Sequence, residues 1–410
     1  MRKRLALGVA ILGSVLAANA ELHNGDRFNA SYCGEDYKFW VMSEKDALVE
    51  VYSLESYYTE YYIGTTIKLP DYVTDSETGK EYKVVRIGAD LLAGYDKITG
   101  VEIPSTVTEI EESAFKGCKS LKSVDFGDSI VKIGQGAFYG CESLEMINLP
   151  ETVEEIGASA FYNCASLTAI IIPDSVTEIA GSAFGDCHSV KPLVIGKSVK
   201  NIESGAFTWM QDGSSQSAAG IYEDLYMLPE NPPKLEDSYM GSSGKAYCPA
   251  ESVAKYNGSG AWMAVGTFEA LPNVFAVFYK ERFMVEEGEE VELLYKSFNP
   301  GNVEIISEEW APFNDKAVSV ENGVATGIKS GEATTVTYRV KDSEGGVYES
   351  ECIVEVIGVS GIDSVADDSC EMDGVYTVSG VRAGDNTESL APGLYIVKKG
   401  AKATKIMVGK

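Results

Sequence analysis

The residue types that most often catalyse reactions or bind metals are sparse in this chain of 410 residues. It contains only two histidines, His23 and His188, and eight cysteines. Histidine is the commonest general base and metal ligand, so most histidine-based chemistry is excluded at the outset. No G-x-S-x-G, H-E-x-x-H, Walker A or C-x-x-C motif occurs. The sequence therefore predicts that the protein is not an enzyme and has no catalytic, cofactor-binding or metal-binding residues.

Carboxylates, in contrast, are abundant, with 62 Asp and Glu against 34 Lys and Arg and a formal net charge of -28. Binding to nucleic acid needs a basic surface, so this charge excludes nucleic acid as a partner. A glycosidase would need two carboxylates that face each other across a sugar-binding cleft, and the sequence singles out no such pair. The acidic run at 286–292 lacks the dense Asp-x-Asp spacing of a calcium loop, so we interpret it as a solvated strand end.

The first twenty residues have the layout of a secretory signal peptide. Positive charges at 2–4 precede an apolar stretch over 5–16, and Ala18-Asn19-Ala20 forms a small-residue cleavage site. We therefore expect residues 1–20 to direct export to the cell surface, the outer membrane or the medium. An uncleaved anchor helix is the alternative. No later apolar segment approaches the length of a membrane span, so no transmembrane segment is expected after cleavage.

A 23-residue period dominates the middle of the chain. Variants of the segments V-E-I-P and V-T-E-I recur in each period and alternate apolar and polar residues, as short strands do. Each repeat is too short to bury its own apolar face, so the repeats are expected to stack as a solenoid, regular over about 85–210. The columns include Ile110, Ile133, Ile156, Ile179 and Ile202, and Phe115, Phe138, Phe161, Phe184 and Phe207.

A column of cysteines follows the same period, with members Cys118, Cys141, Cys164 and Cys187. One interpretation is metal binding, but neighbouring ligands of the right type are missing. A second is disulfide formation, because adjacent coils lie close enough for a bridge. The favoured interpretation is a small buried residue in a tight turn, since Trp209-Met210 replaces Gly-Cys in the last coil.

The repeats resemble the BspA-type leucine-rich repeats of bacterial surface proteins. The segments IPSTVTEIEESAFKGCKSL (103–121) and IPDSVTEIAGSAFGDCHSV (172–190) carry the resemblance. Residues 64–88 look like the family's N-terminal hairpin, and residues 231–262 look like its C-terminal cap, so the resemblance covers about 21–272. It implies a leucine-rich-repeat solenoid and adhesion to host extracellular proteins or to other bacteria.

Two smaller β modules are expected after the repeats. Residues 275–357 resemble a group-2 bacterial immunoglobulin-like domain, on cues that include Trp310, Asn322-Gly323 and Cys352, which implies a β-sandwich spacer. An acidic linker follows at 358–370. Residues 371–410 resemble the C-terminal sorting domain of type IX secretion, which implies the secretion machinery as a partner. An ordinary small β-module is the alternative for this segment.

Three short motifs fit the Asp-Ser/Thr-apolar O-glycosylation signal of bacteria that use this route. The acceptor hydroxyls would be Ser129, Ser175 and Ser364.

The outward positions of the V-E-I-P strands form the candidate ligand face. They change from acidic to apolar along the stack, and an exposed apolar patch often marks an interaction site. The alternative is that loop 211–220 or the C-terminal cap covers this patch. The ligand-facing candidates are Glu102, Asp125, Asn148, Met146, Ile171 and Val194.

The sequence as a whole predicts a mainly β protein, with a solenoid of 23-residue coils, a β-sandwich and a small C-terminal β-module. The predicted function is that of a non-enzymatic, secreted or cell-surface adhesion protein, whose solenoid face recognises surface macromolecules of a host or of bacteria, such as a host extracellular or bacterial surface protein or a glycan. One alternative is a glycan-binding accessory protein, for which tyrosines cluster at 57–62. Another alternative is an architectural surface component, which would self-associate.

Overall fold

The protein is mainly β, as the sequence predicts. The only α-helix in the described residues is Val253–Asn257, which is flanked by 3₁₀ turns at Ala250–Ser252 and Gly260–Val265. None of these helical segments has the length and apolarity that a membrane span requires. A computed structural model describes residues 25–32, 35–55, 66–210, 217–236, 240–358, 374–377, 382–384, 393–399 and 402–408.

An eleven-stranded sheet runs along one side of the repeats. Its first three strands pair antiparallel as a meander, and the third pairs in parallel with Glu81–Ile87, which leads into the repeats. From there each coil adds one short strand in parallel, and Ile133, for example, pairs with Ile156. The strands are Arg27–Tyr32, Glu35–Ser43, Leu48–Glu55, Tyr72–Thr74, Glu81–Ile87, Glu109–Ile110, Lys132–Ile133, Glu155–Ile156, Glu178–Ile179, Asn201–Ile202 and Lys234–Leu235.

The V-E-I-P segments form the other side of the repeats, which we call the short-strand face. Within the repeats its strands also pair in parallel with the 23-residue offset, as Ile171 does with Val194. One sheet consists of Thr66–Lys68, Gly100–Glu102 and Ser123–Asp125. The second consists of Ile170–Ile171, Pro192–Ile195, Thr208–Met210, Ser217–Met227, Met240–Cys248 and Phe268–Ala270.

Identical side chains lie above one another in the core because the repeat length is constant. Five phenylalanine rings form one buried stack from Phe115 to Phe207, with centroids 4.9 to 5.6 Å apart and nearly parallel planes. Stacked aromatic pairs add to the free energy gained from burial alone. The coils therefore support one another through contacts between neighbours, and no coil has a closed core of its own.

Tight turns close each coil at two positions with left-handed backbone. The first has φ between 56° and 71° and is occupied by Asp90, Ser113, Gly136, Ser159, Ser182 and Gly205. The second, four residues later, is Gly94, Gly117 and Gly140 in the early coils and Asn163 and Asp186 in the later ones. Glycine, asparagine and aspartate tolerate this conformation best, which accounts for much of the small-residue content of the repeats.

A second β unit follows the repeats, and we call residues 274–358 the second module. Its own core contains Val318, Val336, Tyr338, Val354 and Val356. Its four-stranded sheet consists of Arg282–Glu286, Ile305–Pro312, Glu332–Asp342 and Val347–Ile357. Its other strands are Glu290–Glu292, Val318–Glu321 and Val324–Gly327, and the pair Phe275–Phe278 and Tyr295–Phe298.

The described part of the C-terminal segment contains a further four-stranded antiparallel sheet. Its strands are Gly374–Thr377, Arg382–Gly384, Gly393–Lys399 and Lys402–Val408.

Candidate ligand-binding surfaces

The apolar half of the predicted ligand face is covered by the second module. Ile171 is 2% exposed and Val194 is 0% exposed, and both lie in one cluster with Phe275 and Val277. The expectation that these two residues form an exposed anchor is therefore wrong. The alternative from the sequence was a cover by loop 211–220 or the C-terminal cap, whereas in the structure strand Phe275–Phe278 of the second module packs on the patch.

The strand Phe275–Phe278 covers this patch because it is apolar on both of its faces. Side chains of successive strand residues point to opposite sides. Val274, Ala276 and Phe278 belong to the core of the second module. Phe275 and Val277 belong instead to the cluster with the short-strand face. An unbroken apolar run is what a strand buried on both faces requires.

A stack of four aromatic rings crosses the boundary between the repeats and the second module. Tyr226 lies between Tyr247, with centroids 5.2 Å apart, and Phe275, with centroids 4.4 Å apart. Phe298 stacks on the far side of Phe275 at 4.7 Å. Burial raises the pKa of Tyr226 well above its usual value. The hydroxyl therefore stays neutral, and the stack acts as an apolar contact with one polar group.

A polar rim surrounds the apolar contact. The Tyr279 hydroxyl donates to Asn148 Oδ1 at 2.9 Å, and the Thr168 hydroxyl donates to the Tyr279 carbonyl at 2.8 Å. Individual exposed ion pairs contribute little, so the apolar cluster supplies most of the docking free energy. The rim's ion pairs are Lys280–Glu145 at 2.7 Å, Lys191–Glu281 at 2.6 Å, and Lys296–Glu151.

The remaining candidates for the ligand face lie at or beyond this boundary. Met146 is half-buried and packs against the covered cluster. Asn148 is exposed and accepts a hydrogen bond from the Tyr279 hydroxyl. Asp125 is exposed, and Glu102 forms an ion pair with Lys68 at 3.0 Å. The structure thus splits the predicted face into a covered apolar half and an open acidic half.

Two of the three predicted glycosylation sites lie in the part of the chain that the structure describes. Ser129 is half-buried, and the hydroxyl of Ser175, also half-buried, donates to the carbonyl of Val153. Ser364 and the tyrosines at 57–62 lie outside the described residues.

The cysteine column consists of free, buried thiols. Each thiol donates to a carbonyl in the preceding coil, as Cys118 does to Leu92 at 3.1 Å and Cys141 to Phe115 at 3.3 Å. Burial raises the pKa of Cys118 and of Cys187 to about 12. A small side chain that can satisfy a buried carbonyl explains why the column is cysteine. No group of three metal-ligating side chains lies together in the part of the chain that the structure describes.

Sequence reasoning missed a second surface, on the solvent side of the eleven-stranded sheet. Strand pairing places one residue from each of ten strands in a single line across the sheet, which we call the outer row. Positive and negative side chains intermix along it, and Lys132–Glu155, for example, form an ion pair at 3.0 Å. The row contains Arg27, Trp40, Glu50, Arg86, Glu109, Lys132, Glu155, Glu178, Asn201 and Lys234.

The N-terminal end of the outer row combines an exposed aromatic with a fixed charge cluster. Trp40 is 41% exposed, and the Arg27 guanidinium lies 5.8 Å from its ring centroid. Two places along, Arg86 contacts three carboxylates, Glu50, Glu109 and Glu111, at 3.7, 2.6 and 3.1 Å. Burial raises the pKa of Glu50, while Arg86 opposes that effect. Antiparallel pairing of the first strands brings these residues together. These strands precede the repeats, so the 23-residue period does not predict their pairing.

A cleft of about 770 Å³ lies beside the boundary between the repeats and the second module. Its lining mixes apolar residues with amides, lysines and glutamates, and the described lining contains no aromatic side chain. Its polar lining includes Lys197, Lys200, Asn231, Asn299 and Asn302.

The repeats match a known family of bacterial repeats. Residues 85–212 match the family described as BspA type leucine rich repeat region, in six copies, which confirms the predicted repeat type over that range. A leucine-rich repeat protein of T. pallidum is 25% identical, with 47% of this chain and 83% of that chain covered and a TM-score of 0.37. No curated protein matches the chain.

Two further solved structures are similar to this chain at lower identity. A leucine-rich cell surface protein from Faecalibacterium prausnitzii is 21% identical, with 76% of this chain and 58% of that chain covered and a TM-score of 0.40. A leucine-rich repeat protein from Bacteroides ovatus is 22% identical, with 57% of this chain and 75% of that chain covered and a TM-score of 0.33.

Proposed function

We propose that this chain is an exported, non-enzymatic protein that binds surface macromolecules of a host or of other bacteria. The outer row carries the proposal, because its residue types change from coil to coil above a core of constant columns. Repeat ladders provide extended binding surfaces of this kind, since outward side chains vary without disturbing the core. The match of residues 85–212 to BspA-type repeats supports the same role.

The binding surface in this proposal is the eleven-stranded sheet, together with the open acidic half of the short-strand face. The apolar half of that face already has an intramolecular partner. A ligand would therefore meet a flat, mixed-charge surface at the outer row, and Glu102 and Asp125 at the acidic edge. Charge patterns of this kind favour specificity and rapid association.

The finer architecture is also part of the proposal. The repeats would form a solenoid, the second module an immunoglobulin-like β-sandwich spacer, and residues 371–410 a sorting module for type IX secretion. The last 13 residues contain five lysines and no acidic residue, which reverses the charge of the rest of the chain. Deletion of 371–410 should leave the protein in the periplasm, whereas unchanged surface display would contradict the sorting role.

A binding screen of the full chain tests the function. Purified protein would be tested against immobilised extracellular matrix proteins and a glycan array, with Glu155→Lys plus Glu178→Lys as the outer-row variant. Glu308→Lys plus Glu321→Lys, at exposed positions of the second module, is the matched charge control. We expect the outer-row variant to lose capture of the matrix proteins and the control to keep it. Absence of capture by the unaltered chain in both formats would contradict the proposal.

A further inference from the structure

The most exposed tryptophan among those with described side chains stands at the N-terminal end of the outer row. Trp40 is 41% exposed, whereas Trp262 is 1% exposed and Trp310 is half-buried in the core of the second module. The inward neighbour of Trp40, Phe39, is fully buried, so the strand orients the indole toward solvent. An indole has a large apolar face and a polar N–H, and tryptophan is enriched at interfaces for this reason.

A second aromatic and a guanidinium extend the surface around Trp40. The Arg27 guanidinium lies 5.1 Å from the Tyr52 ring centroid as well as close to Trp40. Gly88 permits this arrangement, because a Cβ there would lie 2.7 Å from Glu50 Oε1 and 3.0 Å from the Tyr52 backbone. Backbone packing, rather than a mobile loop, therefore holds these side chains.

Hydrogen-bonding groups of fixed orientation lie next to the indole. Glu50 pairs directly with Trp40 across the strands, and Arg86 pairs with Glu50. Neighbouring strands lie about 4.8 Å apart, so an aromatic surface, a carboxylate and a guanidinium follow one another over about 10 Å. The Arg86 side chain keeps 29% of its surface exposed, and Glu109 and Glu111 keep about a third of theirs, whereas Glu50 is buried and supports Arg86 from below.

We propose that Trp40, Tyr52 and Arg86, together with the partly exposed carboxylates of Glu109 and Glu111, form a binding site for a neutral pyranose oligosaccharide. The apolar C–H face of a pyranose ring packs on an indole, and adjacent hydroxyls hydrogen-bond to carboxylate and guanidinium pairs. The inference rests on the proposed binding function and specifies the ligand class and the site. No step of chemistry is involved, because the site only binds.

The charges of the cluster favour a neutral sugar over other ligands. Glu50, Glu109 and Glu111 outnumber Arg27 and Arg86, so an anionic polysaccharide would be repelled. A protein surface would have to strip water from these charges and would leave some of them unpaired, which costs free energy. Sugar hydroxyls replace that water with hydrogen bonds and leave the ion pairs intact.

Affinity electrophoresis of the full chain through gels that contain dextran, mannan, laminarin or xylan tests this site, and tryptophan fluorescence titration gives a second readout. We expect at least one neutral polysaccharide to retard the protein and shift its emission. Trp40→Ala should weaken that binding about tenfold or more, Trp40→Phe should weaken it less, and Arg86→Gln should also weaken it. Phe313→Ala, at a 92% exposed aromatic of the second module, is the matched control and should bind normally.

Three results would overturn the site. Trp40→Ala could keep full polysaccharide binding, or heparin could bind while the neutral polymers do not. Trp40→Ala could also lose capture of a matrix protein while no neutral polysaccharide binds, which would assign the cluster to a protein partner. Each of these results leaves the proposed binding function intact. If the unaltered chain bound none of the polysaccharides and none of the matrix proteins, both the sugar site and the proposed binding function would be contradicted. Circular dichroism of each variant checks folding.

Discussion

The Phe275 ring stacks on Tyr226 with centroids 4.4 Å apart and planes inclined by 8°. Tyr226 belongs to strand Ser217–Met227, which follows the last repeat and pairs with it, and Phe275 begins the first strand of the second module. The contact therefore joins two parts of the chain that the sequence presents as separate units. Because an apolar cluster and a polar rim accompany it, we expect the two units to move together.

Substitution of Val277 tests the docking of the second module. Val277→Asp places a charge without a partner in the cluster that covers Ile171 and Val194. An uncompensated buried charge costs about 3–5 kcal/mol, so docking should be lost. Hydrogen exchange should accelerate at the amide of Ile172, which bonds to the Val194 carbonyl on the covered face. Val347→Asp, at an exposed position, is the control, and equal protection in both variants would contradict the docking.

The phenylalanine stack should be the most sensitive part of the repeats. Phe161→Ala removes the central ring of the five and should lower the free energy of unfolding by about 3–5 kcal/mol. Urea denaturation measures the change. Phe313→Ala, at a side chain that is almost fully exposed, should stay within about 0.5 kcal/mol. Similar losses for both variants would mean that the ring stack is not a core element.

The cysteine column should be chemically inert in the folded protein. Burial raises the pKa of Cys118 and Cys187 to about 12, so almost no thiolate exists at pH 8. Iodoacetamide at pH 8 should leave peptides with Cys118, Cys141, Cys164 and Cys187 unmodified, and unfolding in guanidinium should expose all four. Peptide mass spectrometry locates the label. Rapid alkylation of any of the four in the folded chain would contradict the buried thiol arrangement.

Acid should weaken the start of the second module through Asp342. Burial raises the pKa of this carboxyl, but hydrogen bonds from Gly346, Asn273 and Glu344 outweigh that effect and hold the pKa below its ordinary value. Because the folded pKa is depressed, the stabilisation is present above the unfolded value of about 3.9 and is lost as pH falls through the folded value.

Asp342→Asn isolates this contribution. We expect the variant to be less stable than the unaltered chain at pH 7, and the difference to shrink in strong acid, as measured by urea unfolding at each pH. Asp315→Asn, at an exposed carboxylate, is the control. A stability difference that does not change with pH would show that the hydrogen bonds, rather than the charge, account for the effect.

The 23-residue period was sufficient to predict the repeats because a constant repeat length places equivalent residues of adjacent coils in contact. Placing Phe138 above Phe115 and Ile133 above Ile110 needs only a constant coil length. The left-handed turns at Gly117 and Gly140 follow from the same register.

The covered half of the short-strand face and the surface around Trp40 both depend on contacts between segments outside the 23-residue period, so the period does not predict them. The covered face was predicted as exposed, although the apolar run 274–279 carried the signal of a strand buried on both sides. The position of Trp40 beside Glu50 depends on the register shifts between strands Glu35–Ser43 and Leu48–Glu55. One residue of slippage would turn the indole toward the core, so alternation alone does not fix this pair.

The second module packs on the apolar half of the short-strand face. This contact leaves the eleven-stranded sheet as the main surface open to a ligand. A zero-length carbodiimide cross-links amines to carboxylates that are already in contact, and mass spectrometry of the full chain identifies the pairs. Lys132–Glu155, within the repeats, serves as the internal reference at 3.0 Å. Cross-links Lys280–Glu145 and Lys296–Glu151 should form alongside it, and both should be lost in Val277→Asp. Formation of the Lys132–Glu155 cross-link without either of the other two would show that the second module does not dock on the short-strand face.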